Sequence, residues 1–223
     1  MKIVAMADVH NTFKFSIPDG DVLVVCGDLT YTGALSELRT TAEYLAKLPH
    51  PNKIVVAGNH DFCLEGRQFR HPFVKPALRI EAEDILFENG LKYLYGTSIV
   101  IDGLKFFGGP WTPVYHDWAF NLNPQEREAV WATTPDDVDV LLSHGPPYGY
   151  GDLTTHGQRV GCEALLNAID AKRPRVVCFG HIHEDVGQWT RGSSRLINCS
   201  VGYPVYRGMP QHQPVVFELE KRQ

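Results

Sequence analysis

The chain has 223 residues, enough to bury one well-packed domain over 1–223 without requiring a second. Hydrophobic residues make up 43% and charged residues 21%, a globular balance that excludes a disordered chain, and no apolar run approaches the length of a membrane span. The formal net charge of −5, with no Lys/Arg-rich run, argues against duplex nucleic acid as a partner.

The first residues enter a strand at once, over 3–7, and are too soon interrupted by charge to form the apolar core of a signal segment. That strand runs into Asp8-Val9-His10. A loop containing Pro18-Asp19-Gly20 leads to a second buried strand at 22–26, which ends in Gly27-Asp28. Residues 34–47 then carry Leu35, Leu38, Ala42 and Leu45 at helical spacing, with Pro49 as a stop. The third strand, 53–57, ends in Gly58-Asn59-His60-Asp61.

Residues 62–83 mix Arg, His and Pro without clear periodicity and read as a loop region with one short helix. The pattern from Ile85 onward is β: 85–87, 92–95, 98–101 and 104–108, the last two joined by Asp102-Gly103, a hairpin signal. Trp111-Thr112-Pro113 and the aromatic-rich stretch 115–120 read as an ordered surface loop. A helix is expected at 124–133, with Pro in its first turn and Glu126 and Glu128 near its N-terminus.

The strand at 138–142 ends in Ser143-His144, the helix at 161–172 follows, and the strand at 175–179 ends in Gly180-His181-Ile182-His183. The tail reads as antiparallel strands at 187–190, 195–198 and 215–219 joined by turns, with Asn198 and Ser200 in turns. The five cysteines (Cys26, Cys63, Cys162, Cys178, Cys199) are odd in number and lack C-x-x-C spacing, which reads as reduced, mostly buried thiols in a cytoplasmic protein.

Five strand ends therefore carry Asp8 with His10, Asp28, Asn59 with His60, His144, and His181 with His183. In a mostly parallel sheet these ends converge on one edge, so residues far apart in sequence share a site. Leaving His60 aside, seven of these residues supply the carboxylate, amide and imidazole donors that divalent transition metals favour. Seven ligands suit two ions roughly 3.5–4 Å apart better than one, a clamp used for displacement at phosphorus. His50, His71, His116, His156 and His212 lack such context and are read as surface residues.

Asp8-x-His10, Gly27-Asp28, Gly58-Asn59-His60-Asp61, His144 and Gly180-His181-x-His183 together resemble the calcineurin-like metallophosphoesterase superfamily. The resemblance extends to its metallophosphoesterase-domain proteins through Gly109-Pro110-Trp111-Thr112-Pro113, Phe120-Asn121-Leu122, Ser143-His144-Gly145-Pro146-Pro147 and Arg159-Val160-Gly161-Cys162. It implies a four-layer α/β sandwich of two mixed sheets flanked by helices. It also implies two divalent ions, Mn²⁺ first and otherwise Fe, Zn, Co or Mg. Asp8, His10, Asp28 and His183 would hold one ion, and Asp28, Asn59, His144 and His181 the other, with Asp28 bridging. Water between two cations would ionise near about pH 7 and attack phosphorus.

On the same resemblance His60 would contact the phosphoryl oxygens and protonate the leaving alkoxide, and Asp61 would orient His60 and favour its charged form. Asn59 and His60 would contact substrate, and Tyr148 would stack on a base. Some relatives carry Gly where this chain has His181, which implies slow turnover there; the chain keeps the His. Those relatives read Asn-His-Glu where it has Asn-His-Asp. The function implied is hydrolysis of small phosphodiesters, cyclic nucleotides first among them. The alternatives are a phosphomonoesterase or protein phosphatase, and a low-turnover nucleotide-binding regulator. No membrane partner is expected, and the oligomeric state is left open.

Overall fold

The computed structural model describes residues 1–65, 76–202 and 212–221. In chain order the elements are β1 (Lys2–Met6), β2 (Val22–Cys26), α1 (Leu35–Ala46), β3 (Asn52–Val56), α2 (Phe62–Glu65), α3 (Pro76–Glu88), β4 (Lys92–Tyr93), β5 (Thr97–Ile101) and β6 (Leu104–Gly109). There follow β7 (Thr112–Pro113), β8 (Asn121–Leu122), α4 (Pro124–Trp131), β9 (Val140–Ser143), α5 (Glu163–Lys172), β10 (Val176–Phe179), β11 (Gly187–Arg191), β12 (Ser194–Asn198) and β13 (Val215–Glu218).

The β-branched runs of β1 and β2 are apolar on both faces, which requires cover on both sides. Their alternate residues serve two layers. Ile3, Ala5, Val22, Val24, Ile54 and Val56 face Phe106, Val140, Leu142, Val176 and Ile197 of a second sheet. Val4, Met6, Leu23, Val25 and Val55 meet Leu38, Ala42 and Leu45 of α1 and Ala82, Ile85 and Leu86 of α3. The far side of the second sheet, through Leu141, Val177, Phe179 and Leu196, packs on Trp131 of α4 and on Leu165 and Ile169 of α5. Helices, sheet, sheet and helices form the four-layer sandwich, and each fully buried aliphatic or aromatic side chain contributes about 1.5–3 kcal/mol to it.

The first sheet has the order β13-β1-β2-β3-β4, with β1 to β4 parallel and β13 antiparallel to β1. The second has the order β11-β12-β10-β9-β6-β5, parallel from β12 to β6 with an antiparallel strand at each edge. Both sheets are thus mixed. The β5–β6 hairpin turns at Asp102 and Gly103, both with positive φ, as a two-residue turn that matches the twist of its strands requires. Helix α4 starts on a capping box in which Asn123 and Glu126 bond each other's backbone N–H.

Several expectations are corrected. Residues 85–87 lie in α3, not in a strand: Ala82, Ile85 and Leu86 point inward at helical spacing while Phe87 is 81% exposed, a pattern a three-residue apolar run does not reveal. The loop region expected at 62–83 contains α2 and the start of α3, and its middle, with His71, lies outside the described residues. The stretch read as a surface loop buries Trp111, Ala119 and Phe120 and holds β7, which pairs in parallel with β8 just beyond it. The tail strands are divided between the two sheets, with β12 parallel to β10 and β13 beside β1.

His50 is buried rather than superficial, its Nε2 3.0 Å from the carbonyl of Pro18, whereas His116 and His156 are exposed. Asn198 ends β12 and Ser200 pairs with Ala7, so both are buried and neither is a plain turn residue. All five cysteines are free and buried. Among the described residues, no helix is long and apolar enough to cross a membrane.

Candidate metal centre

The donors converge on the mouth between the sheets rather than on the edge of one sheet. β1, β2 and β3 deliver Asp8, His10, Asp28, Asn59 and His60 from the first sheet, and β9 and β10 deliver His144, His181 and His183 from the second. Asp8, Asp28 and His144 are almost wholly buried, and His10 and Asn59 are buried to within a few per cent. Among the described residues, three groups have ligand atoms within 4.8 Å of one another: Asp8, His10 and His183; His10, Asp28 and His60; and Asp8, Asp28 and His144.

Asp28 is central. Its carboxylate lies 3.5 Å from His10 Nε2 on one oxygen and 3.5 Å from His144 Nε2 on the other, and the second oxygen also accepts the His60 N–H at 2.8 Å. Asp8 lies 3.2 Å from His183 Nε2 and receives the backbone N–H of His181. His181 sits outside the three groups, its ring 5.0 Å from that of His144. Tyr148 is 40% exposed and makes no ring contact or hydrogen bond with this cluster among the described residues.

The backbone is bent to aim these side chains. Asp8, His10, Asp28 and His181 all have positive φ, at 60°, 41°, 54° and 72°. Left-handed backbone at a residue with a Cβ costs of order 1–3 kcal/mol, and such strain gathers where geometry serves a site. Three glycines make room beside them. A Cβ on Gly27 would strike the His144 ring, one on Gly58 the Asp28 carboxylate, and one on Gly180 the Asp8 carboxylate and Ala7.

The imidazoles are oriented from behind. His10 Nδ1 faces the carbonyl of Thr30 at 3.1 Å and His144 Nδ1 that of Cys26 at 2.9 Å. With Nδ1–H donated to a carbonyl, Nε2 presents its lone pair, the arrangement that metal-binding histidines favour. A neutral His144 has one N–H, yet Nε2 also lies 2.7 Å from Asn59 Oδ1. Two lone pairs at that separation fit a shared cation, so the residues present suit a divalent ion.

The titrating groups respond to this crowding. Burial pushes His10 down to about 3 against the pull of Asp8, and pushes His181 down to about 3 with His144 adding to the effect. Burial also lowers His144. For Asp8 burial works upward, but the hydrogen-bonded His183, with His144 and His10, more than reverses it and holds the carboxyl well below the usual range. His183 moves the other way: burial disfavours its charge, and the Asp8 carboxylate overcomes this and raises it. Burial lifts Asp28, with Asp8 and Asp61 adding and His60 opposing.

Asp61 is not where the sequence reading puts it. Its Oδ1 accepts Thr30 N at 2.8 Å and Thr30 Oγ1 at 2.7 Å, and its Oδ2 accepts Gly58 N at 2.8 Å and Leu29 N at 3.2 Å. All four donors belong to the loops after β2 and β3, and the His60 imidazole is held instead by the carbonyl of Tyr31, 2.6 Å from its Nδ1. Trp118 lies over the same ring with centroids 4.3 Å apart, and Tyr31 stacks at 6.0 Å. The sequence singles out neither Trp118, which lies in the stretch read as a surface loop, nor Thr30. An aromatic in a loop that shares no motif with His60 offers no signal, whereas Thr30 lies two residues after Asp28 and could have been weighed.

A profile of the calcineurin-like phosphoesterase family matches residues 1–185. The chain belongs to that family. It is 34% identical to human metallophosphoesterase domain-containing protein 1 over 98% of this chain and 71% of the relative. It is 39% identical to a Caenorhabditis elegans UPF0046 protein over 91% of this chain and 55% of that one. The fold is shared with the phosphopantetheinyl hydrolase of Mycobacterium tuberculosis, at a TM-score of 0.63 and 17% identity over 96% and 95% of the two chains. This calcineurin-like phosphoesterase is therefore a metallophosphoesterase-family hydrolase of αββα architecture. The family typically binds two metal ions, and the chain supplies candidate His/Asp groups for them.

Proposed function

We propose that this chain is a metal-dependent phosphodiesterase acting on small phosphodiesters, with cyclic nucleotides as the substrate class and His60 as the acid that protonates the leaving oxygen. The observation that supports it most is the setting of His60. Its ring is at the rim of the donor cluster, 4.6 Å from the ring of His10, with Nδ1 engaged by the Tyr31 carbonyl. With Nδ1–H donated to that carbonyl, the imidazolium form of His60 carries its second proton on Nε2, the one a general acid delivers to the leaving oxygen.

In this reading Asp8, His10, Asp28 and His183 would hold one divalent ion, and Asp28, Asn59, His144 and His181 would hold the other. The bound ions supply Lewis-acid activation of water and neutralise charge on the phosphoryl group. Mn²⁺ is the first candidate, and the mixed oxygen and imidazole donors also suit Fe, Zn, Co or Mg. The chain's own groups orient the ring nitrogens, exclude bulk water from the buried carboxylates, and deliver the proton from His60. Asn59 and His60 contact the phosphoryl oxygens, and Tyr148 borders the substrate from its exposed loop.

The test compares bis(p-nitrophenyl) phosphate, p-nitrophenyl phosphate and 2′,3′- and 3′,5′-cyclic nucleotides in Mn²⁺ and after chelation, with wild type and His60→Ala. Diester cleavage that chelation abolishes is expected. The mutant is expected to lose about 10²–10⁴ on cyclic nucleotides, whose alkoxide needs a proton, and less on the nitrophenyl ester. A preference for the monoester would move the reading to a phosphatase, and metal binding without cleavage of any ester to a nucleotide-binding regulator.

A further inference from the structure

Asn198 closes β12 with its side chain fully buried. Its Nδ2 donates to the carbonyls of Ile182 at 2.8 Å and Asp185 at 3.0 Å, with a longer contact of 3.4 Å to that of Gly151. Its Oδ1 accepts the N–H of Ser200 at 3.1 Å. Ile182 is the residue between His181 and His183, and its carbonyl belongs to the peptide that leads into His183, whereas His181 is held through its own N–H by the Asp8 carboxylate.

The residues that follow cross from one sheet to the other. Cys199 N–H donates to the carbonyl of Phe179 at the end of β10, Ala7 N–H donates to that of Cys199, and Val201 N–H donates to that of Ala7, at 2.8, 3.0 and 3.1 Å. Residues 198–201 therefore join the end of β10 to the end of β1, immediately before Gly180 on one side and Asp8 on the other. A second loop is tied in beside them. Leu153 N–H donates to the Asp185 carboxylate at 2.9 Å and Thr155 N–H to Glu184 at 3.0 Å. That loop is itself braced by buried Asp152, which accepts Gly149 N, Gly161 N and Arg159.

An asparagine suits this point for a chemical reason. Two carbonyls converge on two N–H groups of one amide, and its oxygen meets a backbone N–H; aspartate would set charge against carbonyls, and an aliphatic side chain would strand them. We infer that Asn198 is a positioning residue that sets His183 against Asp8, and so sets the half of the centre carried by the second sheet against the half carried by the first. The inference rests on the metal-centre reading above. It further implies an asymmetry: the group of Asp8, His10 and His183 depends most on Asn198, whereas the other ion's ligands depend on it less, His144 being oriented by the Cys26 carbonyl and His181 held through its N–H by Asp8.

Co²⁺ titration followed by visible absorption reads the coordination of each ion and needs no turnover. Wild type is expected to take up two ions. In Asn198→Ala one step should weaken by about 10–100-fold, the usual consequence of removing support from behind a ligand, with its spectrum altered and the other step weakened much less. Asp185→Ser, which removes only the carboxylate that receives Leu153 N–H, should weaken the same step by less. Melting of the metal-free forms separates a general loss of stability, which would lower both affinities together. Equal weakening of both steps, or no weakening in a folded variant, would overturn the inference. If Asn198→Ala does not fold, unchanged steps in Asp185→Ser overturn it instead. Wild type that takes up no cobalt would overturn the metal-centre reading beneath it.

Discussion

Asp61 separates two accounts of the Gly58-Asn59-His60-Asp61 motif. On the geometry, its carboxylate is a buried knot between the loops after β2 and β3, accepting three backbone N–H groups and one hydroxyl. In Asp61→Asn the better amide orientation keeps the oxygen on Leu29 and Gly58 and lets the NH₂ donate to Thr30 Oγ1, which leaves the N–H of Thr30 facing another donor. One unpaired buried N–H costs about 1–3 kcal/mol. For a chain of this length that corresponds to a fall in melting temperature of about 2–12 °C. Asp61→Ala strands all three N–H groups, and the cost of about 3–9 kcal/mol approaches the whole stability of a typical domain. Thermal and urea melts of the metal-free variants measure both. The alternative, in which Asp61 serves mainly to charge His60, predicts an Asn variant as stable as wild type that loses turnover only where the leaving group needs a proton. That result would refute the assignment of Asp61 as a structural knot.

Gly180→Ala should place a methyl group on the Asp8 carboxylate and Ala7, costing about 1–3 kcal/mol of stability and displacing Asp8; isothermal titration with Mn²⁺ should show one step weakened, and unchanged affinity would contradict the close approach. Leu142, fully buried between the sheets, should lose about 2–5 kcal/mol on truncation to Ala, read from urea melts. Buried His50 has its pKa lowered by burial, and its Nδ1 has no hydrogen-bond partner among the described residues. The unfolded chain therefore takes up that proton first as pH falls below about 6.5, so stability present above that pH is lost on acidification. His50→Gln keeps a donor for the Pro18 carbonyl without titrating, and its urea midpoint should fall less than that of wild type between pH 7 and pH 5; parallel falls would show that His50 plays no part.

What the sequence made legible was whatever one segment could state by itself. Apolar runs of β-branched residues announce strands buried on both faces, and each of five such runs stops at a donor, so the cluster from Asp8 to His183 could be assembled from the order of residues alone. The glycines at 27, 58 and 180 stand in the motifs, but the reason for them, side chains arriving from other strands, belongs to the assembled fold. Residues 85–87 misled because three apolar residues in a row fit either period, and the choice was made by what they pack against. The two-sheet origin of the donors was also hidden, since a strand end does not say which sheet its strand has joined.

Roles that depend on backbone partners were the least visible of all. Asp61 reads as a neighbour of His60 because it is next in the chain, yet its four partners lie at Gly58 and some thirty residues upstream, and His60 is held by Tyr31. Asn198 reads as a turn residue because Asn favours turns, yet it ends a strand and holds the loop of two histidines. The two cases share a cause. A short polar side chain that satisfies backbone groups of another loop leaves no periodicity, no charge pattern and no spacing rule behind it, only a buried polar residue whose cost has to be met. Such residues sit where loops from different strands meet. In a sandwich that builds its centre from two sheets, that junction is also where the ligands must be brought into register.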